Sequence, residues 1–159
     1  RSDLRPGDLV IPHQIIDYTW GRHSTYHEGP DSPVRHVDFS HPYDQSLRRK
    51  LRDAGTAVGL VVSDSAVYAA TQGPRLETAA EINRIERDGA DVVGMTGMPE
   101  AALARELGVP YAAINVVANY AAGRGDSHAG ISLDAIHQVL EGAMAQVRAL
   151  IEAMLNSDD

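Results

Sequence analysis

Gly73-Pro74-Arg75-Leu76-Glu77-Thr78 begins the segment on which we base the fold prediction, and this segment ends at Asn119. Within it, Thr78 and Glu81 have the spacing of a capping box. In that motif the threonine hydroxyl accepts from the Glu81 amide, while the glutamate side chain accepts from the Thr78 amide. The pattern therefore predicts a helix that follows Thr78 and ends near Asp88.

Two apolar runs predict strands on either side of a second helix. The runs are Asp91 to Met95 and Tyr111 to Ala118. Pro99 suits the first turn of the helix between them, which is expected to run through Leu107 and to stop at Gly108. A strand, a helix and a strand at this spacing predict a parallel pair joined by a right-handed crossover.

The remaining sequence predicts supporting elements on both sides of this segment. We expect a strand at Leu9 to Ile11, a long loop from His13 to Pro33, a helix that starts near Pro42 and is ended by Gly55, and two strands within Ala57 to Ala70. A long amphipathic helix is expected after Ser132, with an apolar stripe that comprises Leu133, Ile136, Leu140, Ala143, Val147, Leu150 and Met154. Together these elements predict one α/β domain over residues 1–159, with a mixed, mostly parallel sheet flanked by helices.

Composition limits the function classes. The formal net charge of -8 and the pI near 5.2 argue against a nucleic-acid or anionic-membrane surface, because such partners need clustered Lys and Arg. The sequence has no cysteine, which excludes disulfides and thiolate chemistry. No apolar run reaches the roughly 20 residues of a membrane span. We expect a cytoplasmic protein.

Several catalytic motifs are absent or incomplete. His23 and His27 have the spacing of a helical metal pair, but Gly21, Gly29 and Pro30 disfavour a helix there and no third ligand is evident. The sequence contains no dinucleotide-binding or P-loop pattern and no Gly-x-Ser-x-Gly elbow. These observations predict a site without a metal or an organic cofactor.

Four side chains stand at the ends of predicted strands or turns. Open α/β sheets bind small ligands at the carboxyl ends of their strands, and Glu77, Met95, Thr96 and Asn119 are expected at that edge. Purely structural interpretations also exist. Thr96 could cap a helix, Glu77 could be an acid favoured beside a helix N-terminus, and Asn119 could be a turn residue.

The same motifs resemble those of the trimeric purine nucleoside phosphorylases and methylthioadenosine phosphorylases. The resemblance covers nearly the whole chain, but the N-terminal third of that family, with its first phosphate-binding loop, is expected to be missing. The start at Arg1-Ser2-Asp3 also reads like that of a fragment. The residues that carry the resemblance are Gly73 to Thr78, Gly89 to Thr96, Met98-Pro99-Glu100 and Asn119-Tyr120.

The resemblance implies phosphorolysis of a purine nucleoside, with inorganic phosphate as co-substrate, in a homotrimer. It places Met95 beneath the ribose and gives the Thr96 hydroxyl to phosphate. Leu76 stands where an aromatic residue of the family often stacks on the base. Asn119 would stabilise the departing purine. The catalytic physics is positioning and electrostatic stabilisation.

The positions that read the base indicate a 6-oxopurine. Branches of the family that accept 6-oxopurines resemble this chain in having Glu at the position of Glu77 and Asn at that of Asn119, whereas the adenine-accepting enzymes have Ser and Asp. Ala121 replaces a second Asp of the adenine pattern. Hypoxanthine presents N1–H as a donor and O6 as an acceptor, so an ionised Glu77 can accept the first and the Asn119 amide can donate to O6 or bridge to N7.

The ribose 5′ end indicates the methylthio branch. Leu133 stands where that branch has a small apolar residue and where ordinary nucleoside phosphorylases have a His, and Ile136 and His137 follow one turn later. An apolar wall suits a thioether better than a hydroxyl. His36 matches a residue that reaches the 5′ group of a neighbouring subunit. Alternatively, Leu133 is helix core and His36 a surface residue.

Together these features predict phosphorolysis of S-methyl-5′-thioinosine to hypoxanthine and 5-methylthioribose 1-phosphate. A methylthioadenosine phosphorylase of broad base tolerance and a 6-oxopurine nucleoside phosphorylase remain alternatives. A non-catalytic nucleoside-binding domain is the alternative from another class. The expected partners are a purine nucleoside and phosphate, and not a nucleic acid or a membrane.

Overall fold

The structure, a computed structural model, describes residues 1–157 and contains six short strands and four α-helices in that range. In chain order the strands are β1 (Leu9–Val10), β2 (Gln14–Asp17), β3 (Val62–Ser63), β4 (Val67–Ala70), β5 (Val92–Gly94) and β6 (Asn115–Val116). The helices are α1 (Gln45–Ala57), α2 (Ala79–Arg87), α3 (Glu100–Glu106) and α4 (Leu133–Asn156), and a 3₁₀ turn spans Gly125–His128.

The strands form two three-stranded sheets. The first has the order β3-β1-β6, with β3 parallel and β6 antiparallel to β1. The second has the order β2-β4-β5 and is parallel throughout. Residues 11–13 connect β1 to β2, and residues 64–66 connect β3 to β4. The first connection donates hydrogen bonds from Ile11 N to Ser63 O at the end of β3 (2.7 Å) and from His13 N to Ala66 O in the second connection (2.9 Å). This arrangement confirms the prediction of an α/β fold with mixed, mostly parallel sheets.

The main core lies where α1 and α4 pack on the first sheet. Leu150 of α4 has no exposed surface and lies in one cluster with Leu51 of α1 and with Leu9 and Ile11. Burying a leucine completely contributes about 1.5–3 kcal/mol. A second cluster beneath α3 contains Tyr68 and Met98 and covers the parallel sheet that carries the predicted site.

The helix starts expected after Thr78 and after Ser132 are confirmed. Thr78 accepts from the Glu81 amide at 3.1 Å, and the Glu81 carboxylate accepts from the Thr78 amide at 2.8 Å, which completes the capping box of α2. Ser132 accepts from the Ala135 amide at 3.3 Å at the start of α4.

Two predictions about the first third of the chain are wrong. The segment from His13 to Pro33 is not all loop, because residues 14–17 form β2 and pair in parallel with β4. Gly55 does not end α1, which continues to Ala57. A Cβ at Gly55 would lie 2.8 Å from Val62 Cγ2, so this glycine permits close packing of α1 on the sheet.

The predicted parallel pairing of the Tyr111 to Ala118 strand with the Asp91 to Met95 strand is also wrong. Only Asn115 and Val116 of the Tyr111 to Ala118 segment are in a strand, and they pair antiparallel with β1 in the other sheet. The parallel neighbour of β5 is β4, and α2 connects these two strands. Sequence spacing gave the element type, but the pairing depends on packing elsewhere.

Candidate active site

The site is built on the ends of two neighbouring parallel strands. Because β4 and β5 run in the same direction, their carboxyl ends meet at one edge of the sheet. The Thr71 amide donates to Gly94 O at 2.8 Å, so the pairing continues one residue beyond β4. The backbone that carries the side chains after each strand is therefore held in the sheet.

A tight turn after β4 brings Glu77 back toward this edge. Gly73 has a left-handed φ of 65° and its Cβ position lies 2.5 Å from Met95 Sδ, so only glycine fits here without displacing Met95. At the far end of the turn, Arg75 donates to both oxygens of Glu81 at 2.7 and 2.8 Å. Contacts at both ends thus fix the turn that carries Leu76 and Glu77.

Glu77 is held from the strand side as well. The Thr71 hydroxyl lies 2.6 Å from Glu77 Oε1 and 3.2 Å from Gly94 O, and Thr71 is 9% exposed. Glu77 is partly buried, while the neighbouring Leu76 is 40% exposed. The carboxylate therefore lies at the boundary between the sheet edge and solvent, where a ligand can reach it.

Thr96 occupies the end of β5 and is exposed. Its amide donates to the Tyr68 hydroxyl at 3.1 Å, and its own hydroxyl is 3.3 Å from the same oxygen. Helix α3 begins at Glu100 and has Pro99 as its N-cap, so Thr96 does not cap a helix, and that interpretation is wrong. The Thr96 hydroxyl lies at the strand edge, where it can meet an anion.

Arg22 joins the strand ends to the segment that follows β2. Its guanidinium donates to the carbonyls of Gln72 (3.0 Å), Met95 (3.1 Å) and Thr71 (3.3 Å), and also to that of Met98. Sequence reasoning missed Arg22, Thr71 and Tyr68. The position of Thr71 directly after a predicted strand was a usable signal, but nothing local distinguishes Arg22 from other loop arginines.

Asn119 lies in the segment after β6 and is half-buried. Its side-chain amide donates to Tyr120 O at 2.7 Å. The following loop docks on α2, since the Cβ position of Gly123 lies 2.9 Å from Ala79 Cβ and Arg124 donates to Glu86 at 2.7 Å. The loop after Asn119 thus packs on the same helix that Glu77 precedes. Between these two side chains no hydrogen bond is found in the described part of the chain.

The other predicted residues lie on α4 and on the segment between β2 and α1. Leu133 is 65% exposed, His137 is exposed and Ile136 is partly buried. His36 is exposed as well. No hydrogen bond or ion pair within residues 1–157 joins these four side chains to Glu77, Met95 or Thr96. Leu133 is therefore not helix core in this structure, and its 5′-pocket role stays a prediction.

The candidate histidine pair and the position of a cavity both bear on the predicted site. His23 Nδ1 lies 2.8 Å from Glu28 Oε2, and across residues 1–157 no three His, Cys, Asp or Glu side chains are grouped so that they could hold a metal ion. A cavity of ≈ 120 Å³ is lined by residues that include Asp44, Arg105 and Tyr111, and by none of the predicted site residues. Its volume is below the roughly 300–1,000 Å³ of small-molecule sites.

Comparison with known families identifies the chain. A family model described as the Phosphorylase superfamily matches residues 1–156. The chain belongs to the phosphorylase superfamily. This result confirms the family resemblance inferred from the motifs around Glu77, Met95 and Asn119.

Similar proteins include a probable S-methyl-5′-thioinosine phosphorylase and a probable 6-oxopurine nucleoside phosphorylase. The chain is 50% identical over 151 residues to a probable S-methyl-5′-thioinosine phosphorylase of Pseudomonas syringae pv. tomato, covering 95% of this chain and 61% of the relative. It is 49% identical over 126 residues to a probable 6-oxopurine nucleoside phosphorylase of Thermococcus kodakarensis, covering 76% and 47%. The chain thus spans about half to three fifths of the length of these relatives.

A solved structure shares the fold of this superfamily member. Methylthioadenosine phosphorylase from Schistosoma mansoni in complex with adenine matches with a TM-score of 0.91 and 26% identity, covering 99% of this chain and 62% of that one.

None of the helices within residues 1–157 has both the length and the apolar character needed to cross a membrane.

Proposed function

We propose that this protein catalyses phosphorolysis of S-methyl-5′-thioinosine. A phosphate oxygen bonds to C1′ of the sugar as the C1′–N9 bond breaks, and the bond's electron pair leaves with the purine. The purine gains a proton and departs as hypoxanthine, leaving 5-methylthioribose 1-phosphate. The observation that carries the proposal is the position of Glu77, held by Thr71 at the carboxyl edge of the parallel sheet, with Thr96 at the end of the neighbouring strand β5.

The base is the part of the substrate that Glu77 and Asn119 would select. A carboxylate accepts the N1–H of hypoxanthine, whereas N1 of adenine is itself an acceptor. A buried polar mismatch of this kind supports strong discrimination. The half-buried Asn119 amide would donate to O6 or bridge to N7 and so stabilise the charge on the leaving purine. Leu76, partly exposed beside Glu77, would offer an apolar surface to the ring.

The sugar and phosphate would lie at the end of β5. Met95 packs directly on Gly73 and would lie beneath the ribose. The exposed Thr96 hydroxyl would donate to phosphate, while the Tyr68 hydroxyl holds the Thr96 backbone. Phosphate serves as co-substrate, and we propose no metal or organic cofactor, because positioning and electrostatic stabilisation supply this chemistry.

The 5′ end of the sugar would meet Leu133, Ile136 and His137 of α4, with His36 reaching it from a neighbouring subunit. We propose a homotrimer for this reason, together with a cytoplasmic location, where nucleosides and phosphate are available. Leu133 and His36 are exposed in the isolated chain, so an apolar 5′ wall would need a ligand or a neighbouring chain against it.

A 6-oxopurine nucleoside phosphorylase is the second candidate. The exposure of Leu133 favours it, because a 5′-hydroxyl needs no apolar wall, and the Thermococcus kodakarensis relative has that probable activity. A methylthioadenosine phosphorylase fits the base site less well, since Glu77 would face the lone pair of adenine N1. A non-catalytic nucleoside-binding domain is the remaining alternative.

The test compares three nucleosides in the full-length protein, with and without phosphate. We expect phosphate-dependent release of hypoxanthine from S-methyl-5′-thioinosine with the highest kcat/KM, a lower value for inosine and the lowest for S-methyl-5′-thioadenosine. Faster turnover of inosine would support the second candidate. Preferential adenine release would overturn the base assignment, and no release from any substrate would favour the binding domain.

A further inference from the structure

Thr71 is held by hydrogen bonds of its backbone and of its side chain, although no sequence motif singled it out. Its amide donates to Gly94 O at 2.8 Å, which extends the β4–β5 ladder, and its carbonyl accepts from Arg22 at 3.3 Å. The residue is 9% exposed. Its hydroxyl therefore has a defined position, and water has little access to replace it.

The single hydroxyl proton of Thr71 has two possible acceptors. Glu77 Oε1 lies at 2.6 Å and Gly94 O at 3.2 Å. Donation to Gly94 O would turn the hydroxyl lone pairs toward the carboxylate, whereas donation to Glu77 makes a short, charge-assisted bond. The proton therefore lies between Thr71 and Glu77, and Glu77 is the acceptor.

We propose that Thr71 is a positioning residue that sets the base specificity of the site by holding Glu77 as an acceptor. The inference rests on the proposed function, in which Glu77 reads N1 of the base. A carboxylate can accept on both oxygens, so with Oε1 bound to Thr71, Oε2 accepts N1–H of a 6-oxopurine. A 6-aminopurine places a lone pair against the same oxygen and is rejected.

Loss of the hydroxyl would change this selection without removing the charge of Glu77. In a Thr71→Val variant the β-branched shape of the strand end is kept, but Oε1 loses its donor. The carboxylate can then rotate toward solvent, away from the position that matches N1–H. Hypoxanthine recognition should weaken, while adenine, which gains nothing from the carboxylate, should be affected much less.

The experiment measures kcat/KM for S-methyl-5′-thioinosine and S-methyl-5′-thioadenosine in the full-length wild type and in the Thr71→Val and Thr71→Ser variants. Thr56→Val is the matched control, since the Thr56 hydroxyl donates to Arg52 O at an exposed position of α1. We expect Thr71→Val to lower kcat/KM for S-methyl-5′-thioinosine roughly 10- to 100-fold, as for loss of a hydrogen bond to a charged group. The effect should lie mainly in KM.

Rescue and equilibrium binding separate positioning from a general structural role. Thr71→Ser keeps the hydroxyl and should restore most of the preference for thioinosine, and Thr56→Val should change neither substrate. Calorimetric binding of hypoxanthine and adenine to the same proteins measures the preference without turnover.

The possible results distinguish this inference from the proposed function. Absence of phosphate-dependent release by the wild type would defeat the proposed function, and the binding ratio would then decide the role of Thr71. An unchanged ratio of hypoxanthine to adenine recognition in Thr71→Val would overturn the inference. Equal loss for both bases, or no base preference in the wild type, would overturn it as well.

Discussion

Glu77 owes its position to contacts made by small or polar neighbours. Gly73 lets the turn pass against Met95, and Thr71 donates to one oxygen of the carboxylate. Arg22 holds the carbonyls of Thr71 and Gln72 on the same turn. Under the proposed function, a mutation at any of these positions would act on base recognition through Glu77, without touching the substrate.

Asn119→Asp tests the other half of the proposed base site. An aspartate offers acceptors where the asparagine amide donates, so it should favour the N6 amino group of adenine over O6 of hypoxanthine. We expect the ratio of kcat/KM for S-methyl-5′-thioadenosine to that for S-methyl-5′-thioinosine to rise roughly tenfold or more. The exposed Asn156→Asp, at the end of α4, is the control. An unchanged ratio in Asn119→Asp would refute the role of Asn119.

At the residue scale the sequence is sufficient to place side chains that lie beside a strand end or a turn. Glu77, Met95 and Thr96 are predicted at one edge because each of them flanks a recognisable element. Arg22 could not be found in this way, because its four carbonyl partners come from segments 49 to 76 residues away. Such a role depends on tertiary structure alone.

Among the elements, α2 has the clearest local encoding. Its capping box is complete, and Arg75 adds a two-pronged contact to Glu81. These contacts lower the pKa of Glu81 to about 2, chiefly through the hydrogen bond from Arg75 and next through the Thr78 amide. The start of α2, which follows Glu77 directly, is therefore sensitive to acid.

The stabilisation by Glu81 should depend on pH in a defined direction. Because the folded pKa lies below the ordinary value of 4.5, the stabilisation is fully present above about pH 4.5 and is lost as the pH falls toward 2. The free energy of unfolding, measured in urea, should be larger for the wild type than for Glu81→Gln at pH 7. This difference should shrink near pH 2.

The Arg75→Gln background supplies the control for this titration. Since the Arg75 guanidinium is the largest cause of the lowered pKa, most of the pH dependence should disappear when it is replaced. A difference between wild type and Glu81→Gln that stays constant from pH 7 to 2 would contradict the role of the capping box.

Element prediction failed where a short strand lacked a local period. β2 has four residues, of which Ile15 and Ile16 are partly buried, and it is recognisable mainly through its pairing with β4. Gly55 resembled a helix stop but serves packing against Val62. In both cases the deciding contact is made by a residue of another secondary-structure element.

At the scale of the whole molecule, two sheets divide the work. The β3-β1-β6 sheet packs with α1 and α4 into the main core, whereas the parallel β2-β4-β5 sheet carries the candidate site at its carboxyl edge. The sequence predicted the α/β class and the edge, but not the division into two sheets or the antiparallel β6. Pairing direction depends on how the layers close, and no single segment encodes it.

The chain spans 61% of the Pseudomonas syringae relative and 47% of the Thermococcus kodakarensis relative. The proposed base-reading residues, the proposed ribose contact and Thr96 all lie within it. Recognition of the base is therefore the property of the whole protein that these residues predict most directly, and turnover is one step further removed.

The most direct measurement of that property is a crystal structure of the full-length protein with hypoxanthine and phosphate. We predict that N1 of the base lies about 3 Å from Glu77 Oε2 while Thr71 keeps Oε1, at ordinary hydrogen-bond length. The Asn119 amide should face O6 or N7, and a phosphate oxygen should accept from Thr96. Hypoxanthine bound away from Glu77, or with N1 turned from its carboxylate, would contradict the proposed base recognition.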